Sequence, residues 1–525
     1  MARRVTAPLM GAASLPLAAP LAMLALLMPP SARADIKLAP SLELRETYSD
    51  NPGLQAGDLA RPQFITEVSP SLRVAADGPR LKGVATLTEH LFAFSGDRID
   101  DTNQSSFQFQ GQGKANLVND LLYVDGNAMI GQQTISPFAP PANTNAYSSA
   151  NRARIRTWSI SPYLKQRLGH AASGELRYTH DAVSSPTNGF GDSHGDAVAL
   201  TAGSNSDTQR RLGWNLRASR QDVQFSQGSQ TKTREENLAA TVSLRSSERF
   251  KVNLSGGYDS YSFNAEGTPN AGRSYSAGFT WTPSARTSID ASAGRRYYGN
   301  SYSLNASHRS RRTVWIATYS DAITNTRQQL LIPKFIDTAS VLDRLFIADI
   351  PDPDARRQAV EAYMRANGLS PTQPDGTYNY LSNRFVLQKQ LLLSSAFNSA
   401  RTTGLVSVNG VRRTSLSPST VDDILLGQRL AGLTDNTNQY GASASLNYRV
   451  TSRSGVTMTL IRTRTESLNH GFSNNVTQAI LAGSTQLQRK LKATVELRRH
   501  QGNLAGVGAP AYRENAISAS LSFMP

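Results

Sequence analysis

The sequence contains no cysteine among its 525 residues. Disulfide bonds, thiol catalysis and thiolate metal sites are therefore excluded. Long apolar runs are also missing, because no stretch beyond residue 34 approaches the roughly 18 apolar residues that a membrane-spanning helix requires. Hydrophobic residues make up 39% of the chain and the mean hydropathy is -0.38. This composition excludes a membrane protein built of helices.

Signatures of catalysis are scarce. The chain has 7 histidines, none paired at the spacing of a helical metal site, and it lacks HExxH, GxSxG and Walker-type phosphate loops. Ser307 and His308 form an adjacent pair of the kind that some barrel hydrolases use, but alternation along a strand directs their side chains to opposite faces. The sequence predicts no catalytic residue, no cofactor and no metal ligand.

Positive charge exceeds negative charge, with a formal net charge of +16. The basic residues are scattered through strands and turns, and no recognition helix, zinc finger or stacking platform accompanies them. A nucleic-acid partner is therefore not expected.

Residues 1–34 are typical of a secretory signal peptide. Arg3 and Arg4 precede an apolar stretch that is interrupted by Pro16 and Pro20, and Ala32-Arg33-Ala34 supplies small residues for cleavage before Asp35. A retained anchor helix is the alternative, which the two prolines disfavour. The prediction is Sec-dependent export of a mature chain spanning 35–525.

Alternating side chains dominate the mature chain. Ser301–Ser307 and Arg311–Tyr319 are two such segments joined by a tight basic turn, and Thr313, Trp315, Ala317 and Tyr319 share one face of the second. About 22 segments of this kind, with a range of 18 to 24, follow one another from Ser41 to Phe523. Each is long enough to cross a bilayer as a tilted strand.

The connections between these segments alternate in length. Asp77–Pro79, Leu117–Asp120 and Thr451–Ser454 are short, whereas Ser49–Gln63 and Gln133–Ala153 are long. Short periplasmic turns and long extracellular loops distinguish an outer-membrane barrel. The sequence therefore predicts an all-β, transmembrane, antiparallel barrel in the bacterial outer membrane, with both termini in the periplasm. No N-terminal plug domain is expected before the first strand, which disfavours an energised transporter of the siderophore type.

The longest connection, residues 322–383, carries the one predicted helix, at about 353–367. Asp352, Pro353 and Asp354 are typical of a helix start, and Asn367-Gly368 is typical of its end. Two interpretations are open for this loop: a gate that enters the pore, or a cap packed on the barrel rim.

Rows of basic residues are the most plausible functional feature. Arg154 and Arg156 share one face of a strand, and the candidate lumen residues are Arg211, Arg217, Arg462, Arg464, Lys490, Lys492 and Arg498. If these side chains line the lumen, they make a channel that attracts anions. Alternatively, they lie near the periplasmic rim or pair with acids such as Glu466 and Glu496.

Three runs of sequence carry a resemblance to a known family. They are YYGNSYSLNASHRSRRTVWIATYSDAITNTR in the centre, APSLELRETYSDN at the start of the mature chain and YRENAISASLSF at its end. Together they resemble the outer-membrane protein family associated with the PEP-CTERM/exosortase system. This resemblance implies an accessory component of an exopolysaccharide system, and it supplies no catalytic residues.

The resulting prediction is a passive or gated conduit for anionic polysaccharide or its fragments. Its expected partners are outer-membrane lipid, the barrel-assembly machinery, and exopolysaccharide with its export proteins. The alternatives are a structural or adhesion barrel that anchors secreted polymer without transport, and, less favoured, an outer-membrane hydrolase.

Overall fold

The computed structural model describes residues 35–95, 105–139, 151–186, 190–204, 211–226, 232–262, 271–331, 342–343, 356, 360, 380–417, 422–434, 436–503 and 511–525. The predicted targeting segment, 1–34, lies outside the described residues. So does the predicted helix at about 353–367 except for Arg356 and Val360, which are both buried. Both assignments stay predictions.

Strands account for nearly all of the described chain. In order they are β1 Asp35–Ser49, β2 Gln63–Asp77, β3 Leu81–Phe94, β4 Ser105–Val118, β5 Leu122–Thr134, β6 Arg152–Leu168, β7 Ala172–Ser184, β8 Ser193–Ser204, β9 Leu212–Phe225, β10 Lys232–Ser247, β11 Phe250–Ser262, β12 Ala271–Ser284, β13 Thr287–Arg296, β14 Gly299–Arg309, β15 Thr313–Thr324, β16 Val386–Asn398, β17 Thr402–Ser415, β18 Asn436–Arg449, β19 Ser454–Ser467, β20 Ser473–Gln488, β21 Leu491–Asn503 and β22 Ala511–Phe523.

The strands form one closed antiparallel barrel. Each strand pairs with its neighbours in sequence within a single 22-stranded sheet. β1 pairs with β22 from Leu42 opposite Phe523 to Ser49 opposite Ala516, which closes the ring. Closure leaves no long unpaired edge in the wall, as a sheet in lipid requires. The predicted fold class and the strand number are confirmed.

The two faces of the wall differ in polarity because side chains alternate along each strand. On β10, Leu238, Val242 and Leu244 point outward and are about half exposed. Thr241, on the opposite face, meets the Ser255 hydroxyl of β11 at 2.8 Å inside the barrel. The outward face is therefore apolar where it meets lipid, and the inward face is polar.

Exposed aromatic side chains mark two levels on the outer wall. Tyr178, Tyr258, Tyr302 and Tyr440 lie toward the end with the long loops, and Trp214, Trp281, Trp315 and Phe523 lie toward the end with the short turns. Two aromatic girdles that flank an apolar band are the signature of an outer-membrane barrel. The chain is an outer-membrane β-barrel, and its short turns, such as 78–80 and 310–312, face the periplasm.

Among the residues that the structure describes, helices are few, and they lie at the extracellular end. A 3-10 helix spans Gly57–Leu59, α1 spans Thr326–Leu331 and α2 spans Asp423–Leu433. The sequence predicted neither α1 nor α2. In the described part of the chain, no helix is long and apolar enough to cross a membrane.

Candidate functional site

A hydrophobic cluster fills part of the extracellular mouth of the barrel. Its buried members come from the residue after β5, the inner face of β6 and β7, the loop before β8, α1, the segment before β16 and α2: Ile135, Ala153, Ile155, Val183, Phe190, Leu330, Leu381, Leu426 and Ala431. Apolar side chains inside a water-filled lumen are stable only if they bury one another. We call this assembly of loops the mouth cap.

The helix α1 is fastened to the wall by polar contacts on two sides. Arg327, which is 2% exposed, donates to a carboxylate oxygen of Asp181 on β7 and, through Nε, to Ser193 Oγ at 2.9 Å. Gln328 donates to both carboxylate oxygens of Glu235 on β10, at 2.7 and 2.9 Å. Burial lowers the pKa of Arg327, and the neighbouring Asp181 opposes that change. These contacts hold α1 inside the mouth.

A cavity of about 590 Å³ lies beneath α1. Its walls carry hydroxyl, amide and charged side chains from opposite sides of the barrel, among them Ser161, Arg217, Gln221, Glu235, Gln390 and Asn409. Gln329 of α1 reaches the Gln388 side chain at 2.9 Å and so closes one edge. Such a lining suits a hydrated, hydrogen-bonding solute better than an apolar one.

A buried ion pair joins α2 to the start of β16. Asp422, which is 0% exposed, lies 3.3 Å from Arg384 Nε and accepts hydrogen bonds from Ser382 Oγ at 2.6 Å and Asn383 N at 2.8 Å. Asp422 occupies the N-cap position of α2 but makes no side-chain capping bond to that helix. Burial raises the pKa of Asp422, and Arg384 acts in the opposite direction. The Asp422 carboxylate therefore stabilises the mouth cap by joining α2 to the segment before β16, and it does not cap the N-terminus of α2.

Replacing Asp422 with alanine is expected to loosen the mouth cap while leaving the barrel wall intact. Arg384 would stay buried and lose its contact with the Asp422 carboxylate, and breaking a buried pair in this way costs about 3–5 kcal/mol. Amide hydrogen exchange in α2 should speed up by about 100-fold or more. The control is Asp423→Ala, because Asp423 is only half-buried and its loss removes about 0.3–1 kcal/mol at a helix N-terminus. Equal exchange rates in the two variants would contradict this role for Asp422.

Three of the seven candidate basic residues point into the lumen. Arg217 of β9 lines the cavity, and Lys492 and Arg498 lie on the inner face of β21. Arg498 is buried and pairs with Glu514, with 2.9 Å between Nη2 and Oε1. Glu514 also accepts a hydrogen bond from Ser49 Oγ across the β1–β22 seam, at 2.8 Å. Arg498 therefore braces the wall, whereas Arg217 remains exposed toward the lumen.

The structure corrects the placement of the other four candidates. Arg462 and Arg464 share a face of β19 with the exposed Met458 and Leu460, and they point outward. The strands continue beyond the bilayer, so the outer face becomes polar above the apolar band. For the same reason, Arg154 and Arg156 of β6 lie on the exposed face outside the barrel. Arg211 and Lys490 lie in periplasmic turns, just outside β9 and β21.

A ring of basic residues surrounds the periplasmic mouth. Its members lie in the short turns or among the four strand residues nearest to them: Arg80, Lys82, Lys165, Arg167, Arg211, Arg245, Arg249, Lys251, Arg286, Arg309, Arg311, Arg312, Arg401, Arg449, Arg453, Arg489, Lys490 and Lys492. The acids at the same level include Asp77, Asp120 and Glu248. Charge of one sign around a mouth raises the local concentration of counter-ions. We call this ring the basic rim.

The structure assigns Ser307 and His308 to opposite faces of β14. His308 is exposed and lies 2.9 Å from the hydroxyl of Thr287 on the neighbouring strand, and Ser307 belongs to the inward set. Among the described residues, no group of three or more His, Cys, Asp or Glu side chains could hold a metal ion.

Comparisons with known proteins identify no family. No protein-family model and no curated protein matches the chain. Solved structures of similar architecture include the siderophore receptor PirA from Pseudomonas aeruginosa, with TM-score 0.45 and 10% identity over 94% of this chain and 81% of that one. They also include the FrpB iron transporter from Neisseria meningitidis, with TM-score 0.47 and 8% identity over 94% and 83%. Likeness at this level carries no inference about cargo or partners.

Proposed function

We propose that this outer-membrane barrel is a gated conduit for anionic polymer or its fragments, in the setting of extracellular polysaccharide export. The basic rim carries the proposal, because it concentrates positive charge where a polymer made in the cell would enter the lumen. Rings of Lys and Arg favour anionic solutes. The resemblance of residues 297–327 to the PEP-CTERM-associated family is compatible with this setting.

The interior of the barrel supports a polar cargo. Arg217 remains exposed in the cavity beneath α1, among hydroxyl and amide side chains that can replace water around a sugar or a carboxylate. The mouth cap supplies the gate, since α1 lies between this cavity and the outside. Proposed partners are therefore a polyanionic saccharide and the proteins that deliver it, with the barrel-assembly machinery acting earlier, during insertion.

The first test is electrical. The refolded full-length barrel is inserted into a planar bilayer, and the reversal potential is measured under a potassium chloride gradient. We expect anion selectivity, and we expect dextran sulfate oligomers to block the current from the side of the basic rim while neutral dextran of equal length does not. A cation-selective pore, or equal block by both polymers, would contradict the proposal.

One observation favours a second function. The buried apolar cluster of the mouth cap is the kind of packing that a permanently closed barrel would have, which suits an anchor for secreted polymer or surface proteins. Absence of conductance both in the native barrel and in a variant whose α1 is released would favour this anchor over the conduit.

A further inference from the structure

Three arginines on the outer wall, on the extracellular side of the apolar band, have no acidic partner. Arg462 of β19, Arg499 of β21 and Arg513 of β22 are all exposed and all belong to the outward-facing set. None of them forms an ion pair with any residue that the structure describes. We call these three residues the outer arginine patch.

The acids around the patch are already engaged. Glu466 pairs with Arg464, with 2.6 Å between Nε and Oε1. Asp50 accepts two hydrogen bonds from Asn515, each at 2.7 Å, and Glu46 accepts one from Thr66 at 2.6 Å. Among the described residues of this wall, none of these carboxylates forms an ion pair with an arginine of the outer arginine patch.

The outward-facing charged residues of β9 and β10, also on the extracellular side of the apolar band, behave differently. On β9 and β10, Arg220 lies 3.0 Å from Asp222 and 3.7 Å from Glu236, and Arg234 lies 2.6 Å from Asp222. Outward charges at that position neutralise one another within the protein. The contrast indicates that the outer arginine patch is matched to an anion outside the chain.

The position of the patch defines which anion can reach it. Along each strand, the next outward residues toward the periplasm include the exposed Leu460, Leu497 and Ile517, which face acyl chains. The arginines therefore lie at the level of the lipid headgroups in the outer leaflet. Three strand spacings separate β19 from β22, roughly 14 Å, a width that a headgroup with more than one phosphate can bridge.

We propose that the outer arginine patch binds the phosphate groups of an outer-leaflet glycolipid, with its acyl chains against the exposed leucine and isoleucine side chains below. Guanidinium groups suit this role because they donate paired hydrogen bonds to phosphate oxygens. The inference is independent of the proposed cargo, because the patch faces away from the lumen.

The test uses the full-length barrel in nanodiscs that contain bisphosphorylated lipid A or the same lipid stripped of its phosphates. Lipid retained by the barrel after extraction is measured by native mass spectrometry. We expect preferential retention of the phosphorylated lipid, and a decrease of about tenfold or more in the combined variant Arg462→Gln, Arg499→Gln and Arg513→Gln. Substituting lysine at the three positions should restore the retention only in part, because the charge remains but the paired donors of the guanidinium are lost.

The matched control removes three exposed arginines at the periplasmic end, Arg286→Gln, Arg401→Gln and Arg453→Gln, and should retain lipid A like the native barrel. Equal retention of phosphorylated and stripped lipid by the native barrel would overturn the proposal without any variant. Equal loss in the patch and control variants would also overturn it, as would displacement of lipid A by dextran sulfate, which would assign the patch to a polymer.

Discussion

Replacing Arg327 with alanine is expected to open the barrel far more often. The substitution leaves Asp181 buried without its cation and removes the bond to Ser193, at a cost of about 3–5 kcal/mol. A change of that size shifts the docking equilibrium of α1 by about 100-fold or more. Single-channel recordings in planar bilayers should therefore show a large increase in open probability. Lysine at position 327 should rescue only in part, because it lacks the paired donors of the guanidinium.

The control for this experiment is Arg156→Ala. Arg156 is an exposed arginine on the outer face of β6, so its loss removes the same charge without touching the mouth cap. Conductance should then match that of the native barrel. An unchanged open probability in Arg327→Ala would show that α1 does not gate the pore, and would leave the charge of the basic rim as a separate question.

The wall of the barrel could be predicted from the sequence because its determinants are local. A strand in lipid must alternate, and each tight turn has a composition that ends one strand and starts the next. Thr313, Trp315, Ala317 and Tyr319 illustrate this, since the sequence predicts that they share one face of the strand, and in β15 that face points outward. Because the strands pair in sequence order around a closed ring, the first strand, β1, must pair with the last strand, β22.

Which charged rows face the lumen could not be predicted by alternation alone. Arg462 and Lys492 both alternate with uncharged residues, yet one points outward and the other inward. The difference depends on where each strand leaves the bilayer, because outward positions must be apolar only within the band. The apolar residues on the same face supply the signal that was missed: Met458 and Leu460 share the face of Arg462, whereas Leu491 and Val495 oppose Lys492.

The mouth cap lies beyond sequence reasoning for another reason. Arg327 and Asp181 are 146 residues apart in the chain, and no local pattern joins them. The start of α2 did leave a signal, since Asp422 and Asp423 precede an apolar run as at many helix starts. Its partner Arg384 belongs to a different loop, so the ion pair appears only once the barrel brings the loops together.

Reversing charge at the periplasmic mouth should invert the ion selectivity of the pore. The variant combines Arg167→Glu, Arg245→Glu, Lys251→Glu and Arg449→Glu, all on the inner face near the short turns. Reversal of one charge changes the energy of a monovalent anion about 8 Å away by about 1 kcal/mol in water before screening. Four reversals together exceed the roughly 1.4 kcal/mol that corresponds to a tenfold change in occupancy. The reversal potential should therefore change sign, and block by dextran sulfate should disappear.

A control with the same change in net charge separates the mouth from the protein as a whole. Arg154→Glu, Arg156→Glu, Arg462→Glu and Arg499→Glu place four reversed charges on the outer wall at the opposite end, where permeating ions do not pass. This variant should keep the native reversal potential. If it shifts selectivity as much as the rim variant does, the selectivity arises from the charge of the whole barrel, and the basic rim loses its role as the site that selects anionic cargo. If only the rim variant inverts, the anion preference is set at the periplasmic mouth, because the cavity beneath α1, α1 itself and the mouth cap are identical in the two proteins.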